Sequence, residues 1–190
     1  QLGTIMPSPN EYRTASGAPG PKYWQQKADY NIKCSLDENS LILTGTETIT
    51  YANNSPDVLT YLWLQLDENQ HSSTQNAGYP YENSMPTMIT DKDADNINTP
   101  PQDNGYGVNI TRVVDAMGTK MKYLVNKTMM RIDLAKKLLP GQKLIFTIDW
   151  NYKLPDRKGI GGRGGYEFFK EDGNYLFTMT QWFPRMCVYS

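Results

Sequence analysis

From residue 27 the chain alternates. Ala28, Tyr30, Ile32, Cys34 and Leu36 fall on one side of an extended backbone, and Asp29, Asn31, Lys33 and Ser35 fall on the other. A period of two predicts a strand with one packed face and one wet face. The "DENS" run at 37–40 then supplies a turn. A second strand is predicted over about 41–51, with Leu41, Leu43, Ile49 and Tyr51 on one face and Thr44, Thr46, Thr48 and Thr50 on the other. Threonine suits the outer face because its branched Cβ fits the pleat. In the third strand, 59–66, Leu62, Leu64 and Leu66 oppose Tyr61 and Trp63. Two apolar faces predict a central strand buried on both sides.

The alternation returns at 108–114, 121–125 and 129–134, and again in Leu144, Phe146, Ile148, Trp150 and Tyr152. "AKKLLPGQK", at 135–143, reads as a short turn ended by Pro140 and Gly141. Residues 166–169 and 175–180 form a last hairpin around "EDGN". Two stretches break the pattern. Residues 1–22 are rich in Gly, Pro, Ser and Thr and read as a flexible leader. Residues 67–105 are polar, with room for a short helix at the start, and otherwise read as a long loop or insertion. About eight short strands without a long helical pattern predict an all-β fold, either a sandwich or a curved sheet, over 23–190.

Composition changes this picture little. The chain has 190 residues, enough to bury a core without staples, and 13 tyrosines, which suit half-wet sheet surfaces. A formal net charge of −1 with no basic block argues against nucleic acid as a partner. No apolar run is long enough to cross a membrane as a helix. Cys34 and Cys187 fit two buried free thiols better than a bridge. The first residue, Gln1, is compatible with removal of a signal peptide. The aromatic end "TMTQWFPRMCVYS" reads as a cut through a continuing structure.

The chemistry is sparse. The chain has one histidine, His71, so the paired-histidine zinc helix of metallopeptidases cannot be built, and a Ser–His–Asp triad has no nucleophile signature beside it. His71 is expected to be a solvated loop residue. The glycine run at 159–165 lacks the Gly-Lys-Ser/Thr ending of a phosphate loop. Asp91, Asp93 and Asp95 lack the glycine and terminal glutamate of a calcium loop. Sequons stand at Asn53, Asn109 and Asn126. Trp63, Trp150 and Trp182 read as core residues before they read as a sugar platform, and Trp24 as an anchor for the leader.

Three blocks carry a resemblance. They are "YWQQKADYNIKCSLDENSLILTGTETITYANNSPDVLTYLWLQLDEN" at 23–69, "MMRIDLAKKLLPGQKLIFTIDWNYKL" at 129–154 and "GGYEFFKEDGNYLFTMTQWFPR" at 164–185. In order and spacing the chain resembles the amino-terminal domain of M1 zinc aminopeptidases (gluzincins), especially Bacteroidetes-like forms. The resemblance implies a bent, saddle-like β structure packed on a downstream catalytic domain, which is the expected partner. It places the zinc ligands and the general base in that domain, so no catalytic residue, metal site or cofactor is expected here. It also implies a peptide substrate for the intact protein and a periplasmic, secreted or cell-surface location.

The same resemblance gives this domain one wall of the substrate site. Thr180 and Gln181 match the first two positions of the family's Thr-Gln-x-Glu/Gln segment. Phe183 stands at the fourth, where a carboxylate or amide would meet the substrate's free amine, and a phenyl ring offers that amine at most a cation–π contact. Gln181 and Phe183 are therefore the candidate substrate-binding residues. Arg185 fits an ion pair with the downstream domain better than a grip on a peptide carboxylate. Two alternatives stay open: a secreted β-sandwich that binds glycans or proteins, and an adaptor domain of an inactive M1-like protein.

Overall fold

The structure, a computed structural model, describes residues 8–74, 88, 91, 102–161 and 163–189. These residues hold ten strands: β1 (Lys27–Asp37), β2 (Ile42–Ala52), β3 (Leu59–Gln65), β4 (Asn109–Asp115), β5 (Lys122–Asn126), β6 (Met129–Leu138), β7 (Lys143–Lys153), β8 (Gly165–Phe169), β9 (Asn174–Thr178) and β10 (Arg185–Met186). A 3₁₀ turn, Asp67–His71, follows β3, and one helical turn, α1 (Arg157–Ile160), follows β7. The fold is all-β, and every strand pairing is antiparallel. One sheet runs β1-β2-β7-β4, a second runs β10-β3-β6-β5, and β8 and β9 make a separate hairpin.

The two four-stranded sheets pack face to face over one core. Leu43, Ile49 and Tyr51 of β2 and Phe146, Ile148 and Trp150 of β7 face Leu62 and Leu64 of β3 and Met130 and Ile132 of β6. Period-two alternation therefore gives the correct parity in β1, β2 and β7. Glu47 shares the parity of Leu43 and Ile49 and is fully buried. Gly45, on the same face, leaves room for the Trp150 ring, which lies where a Cβ would stand.

Several expectations are corrected. β3 is not buried on both sides: Tyr61 is 43 % and Trp63 37 % exposed, because no layer covers the outer face of the second sheet. Cys34 is exposed rather than buried, since β1 is an edge strand, and neither cysteine is bridged. The "AKKLLPGQK" run is not only a turn, because β6 continues to Leu138 before Pro140 and Gly141 reverse the chain. The leader from residue 10 onward carries local hydrogen bonds, including Gly20 N–H to the Tyr12 carbonyl at 2.8 Å. Trp24 packs against Tyr189, with ring centroids 5.7 Å apart. Most of the 67–105 stretch lies outside the described residues, as do Asp93 and Asp95.

Two buried asparagines hold the connections in place. Asn53 is fully buried where β2 crosses to β3 and β6 crosses to β7. Its side-chain amide donates to the carbonyls of Asp57 (2.8 Å) and Leu138 (3.1 Å). Its own backbone donates to Gln142 and accepts from Gly141. Asn69, in the 3₁₀ turn, donates to the Lys127 carbonyl at 2.6 Å and accepts the Val108 N–H at 2.7 Å. Burial of these amides is tolerable because their polar atoms are met.

Candidate functional site

Thr180 and Gln181 stand at the bend that leads from the β8–β9 hairpin to β10. Gln181 is exposed and has φ 52°. Left-handed backbone is uncommon for a residue with a Cβ. Among the described residues only Leu41 and Lys127 share it without being glycine. Those two sit in the tight connections β1–β2 and β5–β6, where a hairpin turn demands the conformation. Gln181 joins no such hairpin.

The segment after it is held by aromatic packing. Trp182 lies 6.0 Å from Trp150, and Phe183 lies 5.1 Å from Trp182 and 5.4 Å from Tyr30. Trp150 in turn stacks on Tyr152 at 5.9 Å. Five rings thus run from the core to the bend. Phe183 is half-buried inside this ladder, whereas Gln181 projects beside it. Tyr30 Oη accepts the Met186 N–H at 2.8 Å and so ties β1 to β10.

Arg185 is committed within the chain. Its guanidinium donates to both carboxylate oxygens of Asp67, at 2.8 and 3.3 Å. Both Asp67 oxygens thus occupy one edge of its planar donor fork.

Sequence reasoning passed over a carboxyl at the same corner. A Cβ on Gly164 would lie 3.2 Å from Thr180 Oγ1 and 3.8 Å from Glu68 Oε1, so Gly164 leaves both groups facing one small space. Glu68 is only 6 % exposed, and burial, with help from the Asp67 charge, pushes its carboxyl up to about 7. His71 lies 4.0 Å from it with a side chain only 12 % exposed, so His71 is not the solvated loop residue expected. Burial lowers the imidazole's pKa, so His71 is neutral at neutral pH and the contact is not an ion pair there. The sequence offered one clue: two acids directly follow the apolar run that ends β3.

Glu47 is the second missed acid. Neither carboxylate oxygen has a hydrogen-bond partner, and the same holds for Trp150 Nε1. Burial raises the Glu47 carboxyl to about 9, so it is protonated at neutral pH.

The remaining motifs resolve simply. Among the described residues no group of three His, Cys, Asp or Glu side chains is placed to hold a metal. At the glycine run, the Asp156 carboxylate accepts the Lys158 N–H at 2.9 Å and caps α1, which puts a negative group where a phosphate would sit. Asn53 is buried, so its sequon is closed in the folded chain, whereas Asn109 and Asn126 are exposed. Trp150 is 1 % exposed in the core while Trp63 faces out from the second sheet, so they form no common platform. No helix among the described residues is long and apolar enough to cross a membrane.

No protein-family model matches the sequence, and no curated protein matches it significantly. Among solved structures, the M1 zinc metallopeptidase from Deinococcus radiodurans is similar at 11% identity and a TM-score of 0.44, over 75% of this chain and 24% of that one. A mutant of that enzyme bound to a Tyr-Ser-Ala substrate gives the same values. A two-domain M1 zinc metallopeptidase mutant bound to L-tryptophan is also similar, at 11% identity and a TM-score of 0.44, over 79% of this chain and 26% of that one. The chain thus spans about a quarter of the length of these proteins.

Proposed function

We propose that this chain is the non-catalytic amino-terminal domain of a larger M1-type zinc aminopeptidase. It packs on the catalytic domain and lines the substrate site with the corner at Thr180 and Gln181. The observation that carries this reading is the backbone of Gln181. A left-handed residue outside a hairpin, braced by a ladder of rings, is strain held by its surroundings, and such strain clusters at binding sites. The three resemblance blocks support the reading independently, because the Thr-Gln match falls on this residue.

Phe183 leaves the substrate amine without its usual carboxyl or amide. Glu68 supplies a carboxyl at the same corner, and an approaching ammonium would favour its ionised form. On the same resemblance the expected compartment is the periplasm or cell surface, and recovery from the cytoplasm on cell fractionation contradicts it.

The test is metal analysis and peptidase assay of the intact polypeptide that carries this domain. One zinc per chain and release of amino-terminal residues from peptides are expected, with a His-Glu-x-x-His segment beyond Ser190. An intact polypeptide with no zinc and no such segment overturns the enzymatic reading. It would leave the adaptor, whose one local hint is Phe183.

A further inference from the structure

The chain crosses from the first sheet to the second between β4 and β5. There the connection at 115–121, with parts of β6 and β7, borders a cavity of about 680 Å³. Small-ligand pockets fall at about 300–1,000 Å³. The walls are apolar: Ala116, Met117, Met121, Leu134, Leu144 and Ile145. Met121, Leu134 and Leu144 also pack on the main core, so the hollow continues the interior of the sandwich. Met117, 82 % exposed, is an uncovered apolar side chain of this lining.

The charged lining is one-sided. Lys120, Lys122, Lys136 and Lys143 all border the hollow and are exposed. Among the described residues none of the four is in an ion pair. Two carboxylates also border it, and both are engaged. Asp115 Oδ1 accepts the N–H groups of Met117 and Thr119, each at 2.9 Å. Asp133 pairs with Arg131 at 2.8 Å. In a chain of net charge −1, four lysines against two carboxylates, one of them paired with Arg131 and the other, Asp115, felt by Lys136, still leave a local excess of positive charge around one apolar hollow.

We propose that this corner binds a soluble single-chain carboxylate amphiphile, with its alkyl chain in the hollow and its head group on the lysine rim. The apolar walls select the chain, since each buried methylene adds to affinity. The rim selects the sign of the head group, because ammonium donors form charge-assisted hydrogen bonds with a carboxylate and repel a cation. The site lies apart from the Gln181 corner and does not depend on the peptidase reading.

Titration calorimetry of the protein with monomeric dodecanoate, dodecanol and dodecyltrimethylammonium tests this, with anionic lipid vesicles as a fourth arm. Dodecanoate is expected to bind one per chain, and decanoate about tenfold more weakly for its two missing methylenes. Dodecanol and the cationic amphiphile are expected to bind at least about tenfold more weakly than dodecanoate. The exposed double variant Lys136→Glu/Lys143→Glu should weaken dodecanoate about tenfold and leave dodecanol unchanged. Circular dichroism of that variant confirms that the fold is kept. Equal binding of all three head groups, no saturable dodecanoate binding, or binding to vesicles but not to dodecanoate overturns the proposal. So does a dimer that buries Met117 and is indifferent to dodecanoate.

Discussion

Glu47 sits in the middle of a core strand with two unpartnered oxygens, and its cost depends on pH. Its carboxyl titrates near 9 in the folded chain, against about 4.3 in an unfolded one. Between those values the folded state holds a proton that the unfolded state has lost. Stability is therefore full below the lower value and declines as pH rises toward the upper one. Glu68 adds to the same slope up to about 7. Glu47→Gln should flatten much of this slope, raising the melting temperature by several degrees at about pH 8 and hardly at all at about pH 4. Thermal melts across that range check it, and a variant with the parent's slope contradicts it. Asn53 is the opposite case, a buried polar group with its bonds made. Asn53→Ala strands two backbone carbonyls and should cost about 2–4 kcal/mol, read by urea denaturation. A loss within about 0.5 kcal/mol, the size of an ordinary surface change, would show that those bonds do not hold the crossing.

At the scale of elements, period-two alternation carried most of the fold. It located the core face of β1, β2 and β7 because a strand with one covered face writes that face into every second residue. It failed where cover is a property of the neighbouring layer. Tyr61 and Trp63 have apolar side chains on an uncovered face, and Cys34 has the inward parity on an edge strand. Nothing in the local sequence records either fact. The parity of Glu47 and Gly45 was legible in β2, but their types masked it. Gly45 is there for the Trp150 ring. Gly45→Ala should force that ring aside and destabilise by about 1–3 kcal/mol, the usual cost of overpacking. Chemical denaturation measures this, and an unchanged midpoint would show that the ring has room to move. Of the candidate site, Gln181 and Phe183 are singled out only by the short motif that the resemblance supplies. Glu68 and the Asp67–Arg185 pair were not legible, because they join residues more than a hundred positions apart.

For the whole molecule, the sandwich is a scaffold that ends in a braced corner. Among its described residues no group of three His, Cys, Asp or Glu side chains is placed to hold a metal. On the proposed reading, what this chain adds is position. The ring ladder fixes the bend, the bend projects Gln181, and Gly164 keeps Thr180 and Glu68 beside it. On the same reading Gln181 shares the substrate's amino end with Glu68, and an interaction it makes there in both ground and transition states would show in KM and not in kcat. Losing a hydrogen bond to a charged group costs about 1.5–3 kcal/mol, a factor of roughly 10 to 150. The most direct measurement is steady-state kinetics of Gln181→Ala in the intact polypeptide, on peptides with free and with acetylated amino termini. The account predicts a KM raised at least about tenfold for free-amine peptides, with kcat nearly unchanged. Parent-like kinetics on free-amine peptides would contradict it.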